Sequence, residues 1–386
     1  MTIPEEEKTV SDASRMESEG SRCTADAAAQ ERSTGTPEDP FRVAIVGYGL
    51  AGATFHAPFI AATPGLRVTA VVTSDEVRAA QARREHPAAR VVSSVDALWE
   101  DAASLDLVVI ASPNRTHAPL AHRALAAGLP IVVDKPFAVT PEDAQRVIED
   151  GERRGLLVTA YHNRRWDGDL LTVRRLLAEG ALGRPLRFES SFERWRPVPR
   201  ANWRESGAPE EAGGLLYDLG SHLVDQALLL FGPVTRVYAE LDRRRPDVQV
   251  DDDVFLALEH ASGVRSHLRA SSVAAQPAAR LRVLGSEAAY VKHGLDVQEE
   301  ALRAGRRPGP GWGDEPPSRW GVVGAGDDLT PVRTEAGAWP SFYAGVAAAL
   351  RGEAPPPVDP RDAVAGLEVI AAAQRSAATG ETVRLP

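Results

Sequence analysis

From residue 41 onward, short runs of apolar and β-branched residues alternate with stretches of helical spacing. The runs at 42–46, 66–72, 90–93, 105–111, 131–134 and 156–160 predict strands. The stretches 51–62, 76–85, 95–100, 116–127 and 141–154 predict helices, the last with Pro141 near its first turn and the fourth ended by Gly128. Near-continuous apolar strands separated by helices belong to a parallel sheet covered on both faces, a doubly wound α/β domain.

The pattern changes after residue 161. Leu170, Leu171, Val173, Leu176 and Leu177 lie on one face of a helix over 167–179, which ends at Gly180. Strand-like runs follow at 185–195, 235–241, 254–260, 264–272, 280–284 and 288–292, with Ala261-Ser262-Gly263 as a hairpin signal. They predict an α+β domain built on a large, mostly antiparallel open sheet, with one helix, 213–231, inserted. Residues 303–340 are rich in Gly and Pro, carry Trp312, Trp320 and Trp339, and read as a long loop. Ala-rich helices over 341–351 and 361–379 close the chain and are placed to pack back on the first domain. The expected division is a tail at 1–40, a Rossmann domain at 41–161 and a second domain at 162–386.

Composition adds three limits. Residues 1–40 hold ten acids against four bases and almost no large apolar side chains, a composition that cannot offset its ordering entropy and predicts disorder. That tail supplies −6 of the net charge of −10, which disfavours nucleic acid as a partner. The single cysteine, Cys23, leaves no intramolecular disulfide to form, and the acidic amino terminus has no apolar leader. No run of eighteen apolar residues occurs, so no membrane partner is expected. The expectation is a cytoplasmic protein.

Candidate chemistry begins at Gly47-Tyr48-Gly49-Leu50-Ala51-Gly52, a G-x-G-x-x-G turn between a strand and a helix. Gly47 suits the tight turn, Gly49 lets backbone approach a pyrophosphate, and Gly52 allows close helix–strand packing. The second strand ends in Thr73-Ser74-Asp75, with Arg78 one turn on; hydroxyls and a cation favour the 2′-phosphate of NADP, while Asp75 is the alternative that would serve NAD. The loop Ser112-Pro113-Asn114-Arg115-Thr116-His117 follows the strand at 105–111 and offers polar groups to the nicotinamide side, or caps to the next helix. The strand at 131–134 delivers Lys135 to a carboxyl end, where ligands of open parallel sheets bind; a merely solvated lysine is the alternative. Asp218 and His222 stand four apart on a predicted helix, as a proton-transfer pair or as a structural one. Without a third ligand they are no metal site. The stretch Tyr161-His162-Asn163-Arg164-Arg165-Trp166, at the domain junction, offers donors and a ring to a polyol; an interdomain hinge held by ordinary polar contacts is the alternative.

In their order and setting, these motifs resemble the glucose–fructose oxidoreductase / inositol dehydrogenase (Gfo/Idh/MocA) family. The resemblance rests on Gly47-x-Gly49-x-x-Gly52, Ser112-Pro113-Asn114-x-x-His117, Asp134-Lys135-Pro136 and Asp218-x-x-x-His222. Phe55-His56-Ala57-Pro58, Val133-Asp134-Lys135-Pro136-Phe137, Asn163-Arg164-Arg165-Trp166-Asp167 and Lys292-His293-Gly294-Leu295-Asp296 look like its scyllo-inositol dehydrogenase branch. The resemblance implies an NAD(P)-dependent dehydrogenase acting on a secondary alcohol of a cyclic polyol or sugar, with an inositol as the substrate of that branch. It implies that Lys135 bonds the reacting hydroxyl, that His222 exchanges its proton, and that Asp218 orients His222 or a neighbouring hydroxyl. It also implies cofactor contacts at Asp134, Lys135 and Asn163, a cis peptide before Pro136, and a homodimer or homotetramer. Asp134 departs from the glutamate of most of the family, although the branch shares it. Two other readings remain open: a cofactor-binding sensor without catalysis, and a reductase of an imine or pyrrole on the same fold.

Overall fold

The computed structural model describes residues 33–199, residue 205 and residues 211–386, and two sheets dominate them. The first is formed by β1 (Phe41–Val46), β2 (Leu66–Val72), β3 (Arg90–Val92), β4 (Leu107–Ile110), β5 (Ile131–Val133) and β6 (Val158–Ala160) in the order β3-β2-β1-β4-β5-β6, all parallel. The four residues of β4 and the three of β5 are all buried, as strands with helices on both faces must be. Those helices are α1 (Ala57–Ala62), α2 (Glu76–Glu85), α3 (Val95–Trp99), α4 (His117–Ala126) and α5 (Pro141–Arg154). The strand order reverses direction between β1 and β4. Their carboxyl ends and that of β5 therefore frame one crevice, the place where ligands bind in such sheets.

The predicted helix at 51–62 is not a single α-helix. Residues Ala51–His56 form a wide π-helical turn and only Ala57–Ala62 is α-helical. Pro58 has no N–H to return to the preceding turn, so the ladder widens ahead of it.

The second sheet has nine strands in the order β14-β13-β12-β11-β7-β10-β9-β8-β15. It contains β7 (Pro185–Glu193), β8 (Val234–Asp242), β9 (Asp253–His260), β10 (Arg265–Ser271), β11 (Leu281–Gly285), β12 (Ala289–Lys292), β13 (Gly321–Ala325), β14 (Asp328–Val332) and β15 (Val383–Arg384). All neighbours are antiparallel except β7 and β10. In β9 buried residues alternate with half-buried ones, the period of a sheet packed on one face. The helices α7 (Ser221–Phe231) and α10 (Pro360–Thr379) lie against it. Helix α10 also packs on α5 of the first sheet, and α9 (Pro340–Leu350) packs on α1. Helices α6 (Gly168–Ala178) and α8 (Gln298–Arg303) complete the chain's α-helices among the described residues.

Two expectations change here. Part of the predicted loop at 303–340 is the hairpin β13–β14, which extends the sheet edge. Gly321, Gly324 and Pro331 lower its strand signal, and Pro331 is tolerated because β14 is the edge strand, whose outer side needs no ladder. Residues 33–40, assigned to the tail, form a turn in which Gly35 N–H donates to Asp39 O at 3.0 Å and Arg351 donates to Gly35 O at 3.2 Å. Residues 1–32 lie outside the described residues. Among the described residues, no helix is long and apolar enough to cross a membrane.

The chain passes between the two sheets through a 3₁₀ turn at Asn163–Trp166 that is dense in buried charge. Arg165 Nε donates to Asp225 Oδ2 at 3.0 Å, and its Nη1 donates to Asp362 Oδ2 at 2.9 Å. Arg165 and Asp225 are both buried, so removing one partner strands the other's charge. Asp225→Ala is expected to cost about 3–5 kcal/mol of unfolding free energy. Urea denaturation checks this, and a loss within about 1 kcal/mol would show that the Asp362 contact suffices.

Candidate active site

The buried strand β5 ends at Val133, and the next two residues turn into the crevice. Asp134 Oδ1 accepts the Lys135 N–H at 2.8 Å, and the Lys135–Pro136 peptide is cis. The Lys135 side chain, 16% exposed, donates from Nζ to Asp218 Oδ1 and to Asp218 O, both at 2.7 Å. Asp218 comes from the second half of the chain, so this contact bridges the two sheets.

The predicted α-helix at 213–231 instead opens with a π-helical turn, Leu216–Gly220, which holds Asp218, before α7 begins at Ser221. Asp251 shapes that opening. Its backbone oxygen accepts Leu215 N–H at 3.0 Å and its Oδ2 accepts Leu216 N–H at 2.7 Å. Gly214 has φ +88°, and a Cβ there would sit 2.3 Å from Asp251 Oδ1, so the residue must be glycine. Burial raises the Asp251 carboxyl to about 6, against those N–H bonds. Asp218 and His222 are thus brought to one cleft, but on a wider spiral than the simple i, i+4 spacing assumed. The carboxylate of Asp218 engages Lys135.

His222 is buried, and its Nδ1 has no hydrogen-bond partner among the described residues. Burial, then the cations Lys135 and Arg164, push the ring well below its ordinary pKa, so it is neutral at pH 7. The His162 ring lies 6.4 Å away, edge-on.

Behind Lys135 sits a second layer. The His56 ring stands 4.1 Å from the Tyr161 ring, its Nδ1 is 2.6 Å from Tyr343 Oη, and its Nε2 is 3.7 Å from Asp134 Oδ1. Burial alone would raise the Asp134 carboxyl, yet His56, Lys135 and His117 hold it below the usual range. The His117 ring nitrogens face Pro136 O at 2.8 Å and Ser112 O at 2.9 Å, tying the lysine loop to the loop after β4. Burial lowers His117 as well.

Asp134, Lys135, Tyr161, Asp218 and His222 line a cleft of about 370 Å³ that also receives Leu50, Phe55, Asn163, Arg164, Arg194, Glu299, Arg303 and Trp339. Arg164 is held in it from several sides. It donates to Glu299 Oε2 at 2.7 Å, lies 3.4 Å from Asp167 Oδ2, and stands over the rings of Phe192 and Trp339.

The glycine turn has the shape that a pyrophosphate needs. Gly47 has φ +96° and a Cβ there would press on Ala111 O at 2.6 Å; a Cβ at Gly52 would lie 2.0 Å from Gly47 O. A Cβ at Gly49 would meet only Arg78 Nη1, at 3.6 Å, so the backbone is open to a ligand with a cation beside it. Asp75 spends Oδ1 on the N–H groups of Val77 and Arg78, at 2.9 and 3.0 Å, capping α2, while Thr73 and Ser74 stay accessible. The residues present therefore fit a dinucleotide.

Several predicted positions turn out differently. The Tyr48 hydroxyl is turned away from the turn and donates to Glu85 Oε2 at 2.7 Å; burial pushes it up. Only its backbone belongs to the phosphate turn. Asn114 caps no helix with its side chain; its amide instead donates to the Glu211 and Ala212 carbonyls at 3.1 and 3.2 Å, tying the two halves together. The Ser112 hydroxyl is paired with Thr116 Oγ1 at 2.6 Å, and Pro113 O accepts from the same threonine. The Trp166 ring is not in the cleft lining; it packs edge-on against Phe342, and its carbonyl accepts from Ala338 and Gln298. Trp339 takes the place expected of Trp166, with Nε1 donating to Asp167 Oδ1 at 2.7 Å. Nothing in the glycine-rich context of Trp339 marked it. Arg194, Glu299 and Arg303 were likewise not legible as cleft residues. No group of three or more His, Cys, Asp or Glu among the described residues could hold a metal ion.

Comparisons with known proteins agree with this arrangement. Residues 41–162 match the model of an oxidoreductase family with an NAD-binding Rossmann fold, and residues 170–291 match the GFO/IDH/MocA C-terminal domain. The Escherichia coli oxidoreductase YdgJ, itself uncharacterized, is 42% identical over 337 residues, covering 86% of this chain and 95% of that one. The Bacillus subtilis scyllo-inositol 2-dehydrogenase (NADP(+)) IolW is 32% identical over 352 residues, covering 90% and 96%. The structure of YPO2259 from Yersinia pestis superposes with a TM-score of 0.84 at 42% identity, over 91% of this chain and 99% of that one. With both of its halves matched and these relatives nearly full length, the chain belongs to the GFO/IDH/MocA family of NAD(P)-binding oxidoreductases and is a dehydrogenase.

Proposed function

We propose that the protein interconverts a secondary alcohol and a ketone on a cyclic polyol or sugar, an inositol first among them, with NADP as the preferred cofactor. The observation that carries this reading is the meeting of Lys135, Asp218 and His222 in one cleft beside the glycine turn. The 32% identity to a scyllo-inositol 2-dehydrogenase that uses NADP supports both substrate and cofactor.

A bound nicotinamide supplies the two-electron redox chemistry, and the chain supplies orientation and charge. Lys135, held by Asp218, directs a cation at the reacting oxygen and stabilises the negative charge that develops there. His222, neutral at pH 7, accepts the hydroxyl proton during oxidation and returns it during reduction. Asp218 keeps the ammonium in place and faces a neighbouring hydroxyl. Gly47, Gly49 and Gly52 with the backbone of Tyr48 and Leu50 hold the pyrophosphate; Thr73, Ser74 and Arg78 hold the 2′-phosphate. His117, Pro136 and Ser112 act by positioning the loops around the nicotinamide, as does Asp134 through the Lys135 N–H.

Lys135→Met should retain cofactor affinity and lose about 10²–10³-fold in kcat/KM; a rate near that of the unaltered protein on an inositol panel, followed by absorbance at 340 nm, would remove the lysine from the chemistry. For His222 the sign follows from its lowered pKa. The neutral ring is the proton acceptor, so the acid limb of kcat/KM for oxidation is expected below pH 6.5, and it should disappear in His222→Asn. Arg78→Ala should lower kcat/KM about ten- to a hundredfold with NADP and leave NAD turnover nearly unchanged, as loss of a charged hydrogen bond predicts. A strong NAD preference in the unaltered protein would overturn the cofactor assignment.

A further inference from the structure

Among the described residues, one cation of the cleft has no hydrogen-bond or ion-pair partner for its side chain. Arg194 follows the last residue of β7, its N–H donating to Ser271 O at 2.8 Å at the end of β10. Because β7 and β10 run parallel, both strands end on the cleft side, and the side chain of Arg194 lines the cleft. Among the described residues its guanidinium makes no hydrogen bond and no ion pair.

The acids nearest in charge to Arg194 are Glu299 and Asp218, and both serve other cations. Glu299 accepts from Arg164 at 2.7 Å and from Arg303 at 2.8 and 3.0 Å. Asp218 accepts from Lys135 at 2.7 Å. On the same wall, Arg245 is paired with Asp252 at 2.8 Å. Burial pulls the Arg194 guanidinium below its ordinary value, so removal from water is not repaid by a partner. A neutral polyol would leave this cation as it stands. A planar guanidinium with its donors free matches a carboxylate or a phosphate, which it binds through two parallel N–H bonds.

We propose that Arg194 recognises an anionic group, a carboxylate or a phosphate, carried by the polyol or sugar. The inference rests on the dehydrogenase reading above and narrows its substrate class to acidic or phosphorylated polyols. Arg194 is a specificity residue, bonded to the anion and separate in role from the proton chemistry of His222 and Lys135.

The test is calorimetric titration of the full chain, saturated with NADP, using D-glucose, D-glucuronate and D-glucose 6-phosphate as probes. The two charged sugars are expected to bind about tenfold or more tightly than glucose. Arg194→Gln should abolish that advantage and Arg194→Lys should keep part of it; the comparison of glucuronate with the phosphate tells which anion is preferred. Equal binding of all three probes, or an advantage that survives in Arg194→Gln, overturns the inference. Turnover of neutral and acidic polyols is measured alongside. Charged-sugar binding that depends on Arg194, with no polyol oxidised, would remove the proposed reaction and leave the anion site standing. Oxidation of neutral polyols with no such binding difference would do the reverse.

Discussion

A lysine at the end of a fully buried strand has to find acceptors or leave the interior, and the rest of this site is built around that constraint. Strand β5 has no exposed residue, so the chain delivers Lys135 to the crevice with its backbone already fixed. The first half of the chain offers Asp134, which is used on the lysine's own N–H. The ammonium therefore reaches across to Asp218, which supplies a carboxylate and a carbonyl oxygen. A charge-assisted pair of bonds at 2.7 Å thus joins the two sheets at the point where the chemistry is proposed to occur.

That bridge is only as good as the turn holding Asp218. The turn is wide because Asp251 takes the N–H groups at its start, and Asp251 can come so close only because residue 214 is glycine. The other side of the bridge is equally braced, by His56 and Tyr343 behind Asp134 and by His117 between the two loops. Further out, Arg164 and Arg165 are neutralised by Asp167, Glu299, Asp225 and Asp362. Buried ion pairs of this kind contribute little net stability over apolar packing, yet losing one member is costly. They tie the residues of the junction to one another, and the proposed proton-transfer geometry rests on that junction.

Much of this was legible in the residues. The alternation of apolar runs and helical stretches yields the six parallel strands within a residue or two, because strands buried on both faces have no freedom to be polar. The glycine turn was equally clear, since its three glycines answer three different steric demands. Lys135, Asp218 and His222, the candidates that the residues offered for the chemistry, line one cleft. Less visible was everything set by contacts distant in sequence. The hairpin β13–β14, broken by Gly321, Gly324 and Pro331, reads as loop. Trp166 stood next to the right residues but packs on Phe342, while Trp339, far along the chain, lines the cleft. Asn114 and Tyr48 sit in recognisable motifs, yet their side chains are spent on Ala212 and Glu85.

By itself, the sequence determined the class of fold and the place of the glycine turn, and it named the three side chains to which the proposed chemistry is given. Those features depend on periodicity, on the conformational range of glycine, and on residue types with few alternative uses. The tertiary structure alone decided how each cation is answered. Which acid neutralises which arginine depends on distances across the junction of the two sheets, and no spacing along the chain encodes them. Only there does it emerge that Lys135 has Asp218, that Arg164 has Glu299, and that Arg194 has no partner of its own among the described residues.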